Sequence, residues 1–116
     1  MTADRLPPDL LNRVRSVVTE GDTIWTVAQR KRNLVLEIGA DGILVETDRS
    51  VANGTGPQLV PAGLINSDWE QLQSTGRLRL SDSSHRGSFC CALFSLFPDV
   101  VIASPRPFEL RIEAHA

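Results

Sequence analysis

TIWTVAQRKRNLVLEIGADGILVET, residues 23–47, contains three short apolar runs, Thr23 to Ala28, Asn33 to Ile38 and Ile43 to Thr47, separated by polar or Gly-containing segments. Within each run apolar side chains recur at every second position and β-branched residues are common, the pattern of half-buried strands. The stretch therefore reads as a meander of two hairpins. Charge sets the expected register. A two-residue turn at Asp41-Gly42 would set Glu37 opposite Glu46, and like charges facing each other across a ladder disfavour that pairing. A four-residue loop, Gly39 to Gly42, instead places Ile38 opposite Ile43, Leu36 opposite Val45 and Leu34 opposite Thr47, all on one face. In the first hairpin, a loop of Gln29 to Arg32 puts Trp25 opposite Leu36 and Val27 opposite Leu34, completing an apolar face that is the expected core wall. Ile24, Val35 and Leu44 then fall on the reverse, mixed face with Thr26, Glu37 and Glu46.

Upstream, Pro7 and Pro8 precede Leu10, Leu11, Val14, Val17 and Val18 at helical spacing, with Gly21 as a stop, which predicts an amphipathic helix over residues 8–20. Downstream, a Gly-containing loop at 53–56 leads to Ser67-Asp68-Trp69-Glu70. That spacing matches a capping box and predicts a helix starting at Asp68, with Trp69 and Leu72 facing inward and Gly76 as its left-handed end. Arg77, Leu78, Arg79 and Leu80 alternate as a short extended piece. Asp82, Ser83, Ser84 and Ser88 offer caps for a strongly apolar helix over 86–97, which Pro98 stops. Val100 to Ile102, then Phe108, Leu110 and Ile112 alternating with Glu109, Arg111 and Glu113, read as two closing strands. The expected fold is α+β, one domain over residues 1–116: an N-terminal helix, an antiparallel β-meander, two further helices and closing strands. A chain of this length buries about two thirds of its unfolded surface, enough for one core without disulfide or metal staples.

Composition narrows the function. Twelve Lys and Arg against fourteen Asp and Glu leave a formal charge of −2. Bulk electrostatics therefore do not draw the chain to nucleic acid or an anionic membrane, and any such role must rest on local charge. Cys90 and Cys91 lie side by side in an apolar run, which suits packed free thiols better than a strained bridge between neighbours. The first residues lack a secretory signal pattern, and no apolar stretch approaches the ~20 residues of a membrane span, so a cytoplasmic protein without a membrane partner is expected. Two cysteines and two histidines, with no C-x-x-C and no H-E-x-x-H, do not form a metal-binding pattern. His85 lies in the approach to the apolar helix, where capping or solvation is its ordinary role, and His115 lies beside the terminus. Gly54 and Gly56 are not followed by the Lys-Ser/Thr signature of a phosphate-binding loop. Cysteines in a Phe-rich helix are inert thiols rather than nucleophiles. No cofactor is expected. A compact nuclease would place acids such as Asp41 and Glu46 beside a lysine and a divalent metal, but the sole lysine, Lys31, is in another loop, and no Glu-x-Lys follows either acid. The chain is expected not to be an enzyme.

The clearest charge feature is Gln29-Arg30-Lys31-Arg32-Asn33, three consecutive cations at the expected tip of the first hairpin. Such a tip can lie along a phosphate backbone, with Asn33 as a hydrogen-bonding companion. Arg86, near the start of the apolar helix, and Arg49 are the cations expected to assist. The candidate DNA-binding set is thus Arg30, Lys31, Arg32, Asn33, Arg49 and Arg86. Trp25 and Trp69 both fall on the apolar side of their elements and are expected in the core.

Taken in order, Thr26 and the basic turn to Asn33; Ile38 with Asp41-Gly42-Ile43, Val45, Thr47 and Ser50; Val60-Pro61-Ala62; Trp69, Leu72, Gly76 and Leu78; and Ser88 with the apolar helix through Leu96, Pro98 and Val100 span residues 23–101. Their order and spacing resemble the small N-terminal head domain of McrA-type, modification-dependent HNH restriction endonucleases. The resemblance implies a DNA-binding or module-positioning role within a defence nuclease that cuts modified DNA, for instance phosphorothioated or methylated DNA. Its partners would be DNA and the other domains of such an endonuclease, and the chain would be either a free-standing relative or a module excised from one. It does not imply cleavage by this chain, because the histidine-rich HNH segment and the domains that read methylated bases or sulfur have no counterpart in these residues. The alternative is a protein-interaction or oligomerisation module that uses the mixed sheet face of Ile24, Val35 and Leu44.

Overall fold

A computed structural model describes residues 5–113. The elements run in the order α1 (Pro8–Val17), β1 (Thr23–Trp25), β2 (Arg32–Gly39), β3 (Gly42–Thr47), α2 (Asp48–Ala52), β4 (Gln58–Pro61), α3 (Ala62–Thr75), β5 (Arg77–Arg79), α4 (Gly87–Phe94), β6 (Val100–Pro105) and β7 (Phe108–Ile112). Two antiparallel sheets form, one of order β1-β2-β3-β4 and one of order β5-β7-β6. The expected α+β fold is present. Helix α3 lies between the sheets, packing on β3 and β4 at one side and on β5, β7 and α4 at the other. Among the described residues no helix is long and apolar enough to cross a membrane.

The second hairpin pairs Ile38 with Ile43 as expected, but Gly39 also pairs with Gly42, so the turn is the two residues Ala40 and Asp41 rather than a four-residue loop. Gly42 has φ +138°, and a Cβ there would lie 2.1 Å from the Val60 carbonyl oxygen, so both backbone conformation and space restrict the position to glycine. Beyond the tip the expected register fails. Glu37 pairs with Leu44 and Val35 with Val45, which leaves Leu36 as an extra residue on β2. The pairings of Leu36 with Val45 and of Leu34 with Thr47 are replaced by Val35 with Val45 and Asn33 with Thr47. A one-residue bulge turns every earlier side chain of the strand to the opposite face. Val35 is consequently buried with Ile43 and Val45, while Leu34 is only half-buried. Each fully buried side chain of this kind contributes about 1.5–3 kcal/mol, which is why the core, rather than the turn, selects the register.

The flip passes to β1. Ile24 pairs with Asn33 and Trp25 with Arg32, across a six-residue loop, Thr26 to Lys31, in place of the expected four. Ile24 is buried and Trp25 is 50% exposed. Two expectations are thereby corrected: Trp25 is a surface residue, and Ile24 and Val35 belong to the core, so the mixed face proposed for protein interaction does not exist in that form. Trp69 is buried, as expected.

Elsewhere, α3 begins at Ala62 after Pro61, not at Asp68. Ser67 and Asp68 lie within the helix, and the capping-box pattern is put to another use described below. Gly76 does end the helix in the left-handed conformation, donating to the Leu72 carbonyl. The short helix α2 and strand β4 were not expected from the sequence. Thr47 and Ser50 form a reciprocal capping box for α2, the Ser50 amide donating to Thr47 Oγ1 and the Thr47 amide to Ser50 Oγ, both at 3.0 Å. Helix α4 is shorter than expected, and no side chain caps its start.

Candidate nucleic-acid interface

Four separate segments converge at the end of the first sheet. The β1–β2 loop running into β2 contributes Arg30, Lys31 and, as the first residue of β2, Arg32; the β3–α2 junction contributes Arg49, β4 contributes Gln58, and the approach to α4 contributes Arg86. They line one open groove of about 640 Å³, with Asn33 in its wall. All six candidate residues, separated by up to 56 positions in the chain, therefore share one surface feature. Five of the twelve cations line it, with Asp48 as its one carboxylate. An otherwise acidic chain thus carries a local concentration of positive charge facing open space, which focuses a favourable potential for a polyanion.

The cations differ in how they are held. Arg32 donates to Asp48 Oδ1 from Nη2 at 3.0 Å and from Nε at 3.2 Å. The Asp48 side chain is largely exposed, so this pair is screened by solvent and fixes the guanidinium direction more than it adds stability. Arg86 Nη2 reaches Gln58 Oε1 at 3.5 Å, at the outer limit of a hydrogen bond. Among the described residues Arg30, Lys31 and Arg49 form no ion pair. Arg30 holds φ +51° in the left-handed region, which costs a non-glycine residue about 1 kcal/mol or more.

Asn33 plays a part different from the one expected. At 4% exposure it is buried, and its Nδ2 donates to the Lys31 carbonyl at 3.2 Å. It shapes the loop from beneath and so presents Lys31. The Thr26 side chain does the same from the other arm, accepting from the Lys31 amide at 2.9 Å.

Arg86 is placed by a residue that sequence reasoning assigned to another role. Asp68, 2% exposed on α3, accepts from the Ser84 amide and from Ser84 Oγ, each at 2.8 Å. Ser84 Oγ in turn accepts from the Arg86 amide at 3.3 Å. A buried carboxylate thus ties the segment before α4 to α3 and sets Arg86 at the groove edge. The local Ser-x-x-Glu spacing drew attention to a cap; nothing local signals a hydrogen bond spanning sixteen positions.

The residues considered for catalysis stand apart from one another. Asp41 is exposed at the second hairpin tip and Glu46 is half-buried on β3. Among the described residues no group of three or more His, Cys, Asp or Glu gathers to hold a metal ion. His85 is exposed and lines a smaller hollow with Lys31 and Arg86 beside the groove, and His115 lies outside the described residues. Cys90 and Cys91 are buried free thiols on α4. Burial, reinforced by the Asp68 carboxylate, pushes the Cys90 thiol well above its ordinary pKa and Cys91 up to about 12. Protonated and sealed, neither can act as a nucleophile.

Sequence reasoning missed Trp25. Its ring lines the basic groove together with Arg30 and Thr26, and the same three residues also line an adjoining apolar hollow. Comparison with protein-family models, with curated proteins and with solved structures finds no match to this chain.

Proposed function

We propose that this chain is a non-catalytic DNA-binding module that grips the phosphate backbone through the groove beside its first hairpin. The observation that supports the reading is the convergence of Arg30, Lys31, Arg32, Arg49 and Arg86, from distant parts of the sequence, on one open surface. Arginine and lysine suit this task because phosphate contacts supply most non-specific affinity through release of counterions. A groove with so few cations binds weakly alone and becomes effective when tethered to a second reader, which raises its local concentration. An accessory role within a modification-dependent restriction system fits that weakness. That context, and the preference for modified DNA it implies, rest on the resemblance of the sequence to McrA-type head domains.

The test is fluorescence anisotropy of a labelled duplex, unmodified and modified, at two salt concentrations. Wild type is compared with the variant in which Arg30, Lys31 and Arg32 are all changed to Gln. Affinity should fall by about 0.9 log units per log unit of salt for each phosphate contact, and the triple variant should lose most of it. Absence of binding at low salt both to these duplexes and to their separated single strands would overturn the reading and shift the function to protein interaction.

A further inference from the structure

The basic groove is bounded on one side by a ridge made of Trp25, Thr26 and Arg30, and beyond that ridge lies an apolar hollow of about 310 Å³. Val27, Phe108, Leu96 and Ile102 line the hollow along with Trp25. Three of these large side chains are unusually open to solvent: Trp25 at 50%, Leu96 at 47% and Ile102 at 54%. No carboxylate lines the hollow, and the polar residues in its wall are Thr23, Thr26, Arg30 and Ser95. An open aromatic face, a row of cations within reach of it and a pocket free of negative charge together suit a flat heteroaromatic ring attached to a polyanion.

A base within a duplex cannot use such a surface, because both of its faces are already stacked and its ring is closed off by pairing. An unpaired base can. Base stacking on an aromatic side chain combined with a cationic track for the backbone is the general means by which proteins hold single strands. We propose that the hollow receives an unpaired DNA base stacked on Trp25, while the groove cations hold the phosphates that flank it. The ligand of this site is then a single strand, or a duplex with a locally unpaired nucleotide. This inference rests on the DNA-binding reading above and specifies the form of DNA that the same surface takes.

The experiment measures anisotropy of the whole chain with three labelled probes: a single-stranded oligonucleotide, the corresponding duplex, and a strand of equal length and charge made of abasic nucleotides. The native single strand should bind about tenfold tighter than the abasic strand, in keeping with the contribution of one stacked base. Trp25→Ala should erase that advantage, so that native and abasic strands bind the variant equally, and Trp25→Phe should keep most of it. Intrinsic fluorescence gives an independent readout. The single strand should quench part of the wild-type tryptophan emission, and the Trp25→Phe variant, whose remaining indole Trp69 is buried, should show no quenching. Equal affinity for native and abasic strands, unaffected by Trp25→Ala, would overturn stacking and leave the phosphate grip intact. Failure of all three probes to bind would overturn both.

Discussion

Trp69 and Trp25 each stand near an arginine, yet the two regions are built for opposite ends. Around Trp69, Phe94 and Phe97 lie at centroid distances of 5.1 and 5.2 Å, the latter edge-on. Arg13 covers the indole at 5.2 Å while its guanidinium is clamped on both nitrogens by Asp99, at 2.7 and 2.9 Å. Those hydrogen bonds also raise the Arg13 pKa. The cation there closes a core: its charge is answered, its geometry is bidentate, and the ring beneath it has no free face. Around Trp25 the ring is half open, and neighbouring Arg30 has no carboxylate partner among the described residues. The same two residue types produce a seal where a carboxylate and aromatic neighbours complete the set. Where those are missing they produce a surface with unspent valence for a ligand.

If that contrast is correct, the two tryptophans should differ most sharply in stability. Trp69→Ala should cost about 3–5 kcal/mol in urea unfolding, as for other large buried aromatic residues, whereas Trp25→Ala should cost no more than about 1 kcal/mol. Equal costs would break the comparison by making Trp25 a structural residue. A smaller effect concerns the link between the two regions. Asp68→Ala should destabilise by about 1–3 kcal/mol, since it leaves the Ser84 amide and hydroxyl without their acceptor. The same variant should weaken DNA binding through the displaced Arg86 segment. Amide hydrogen exchange at Ser84, measured alongside anisotropy, checks that both losses have one origin.

The sealed region also carries a pH signature that the open one lacks. On unfolding, Cys91 returns from about 12 to its ordinary value of 9.0, and Cys90 shifts in the same direction. Folding thus favours the protonated thiols. The stability they contribute is full below pH 9.0 and is lost as the pH rises toward about 12. Above pH 9.0 the unfolding free energy should fall by roughly 1.4 kcal/mol per pH unit for each thiol. The Cys90→Ala/Cys91→Ala double variant should show a flatter alkaline limb in urea titrations. An unchanged slope would mean that α4 admits solvent and that the seal is looser than the packing indicates.

Much of this architecture was legible in the chain. The amphipathic spacing of Leu10, Val14 and Val18 marks α1, Gly76 marks the end of α3, and the Phe-rich run at 89–97 marks the buried helix, because each signal is local and repeats with the period of its element. The six candidate site residues were named from the sequence, three through adjacency at a turn, and only the fold reveals that they line one groove. What could not be read were features set by distant partners. Nothing near Asp68 announces Ser84, and nothing in the loop after Ser50 announces that Gln58 to Pro61 will extend the sheet beside β3.

The sequence by itself determined which residues alternate, where the chain turns and where positive charge accumulates, since these depend on neighbours within a few positions. Only the tertiary structure decided which side of the first sheet faces inward. The extra residue at Leu36 costs one ladder position, yet it lets Val35 and Ile24 join Ile43 and Val45 in the core. That choice depends on how volumes fit across elements, information that no single strand contains. The same bulge turns Trp25 outward beside the arginines, so packing in the interior places the aromatic face of the candidate site.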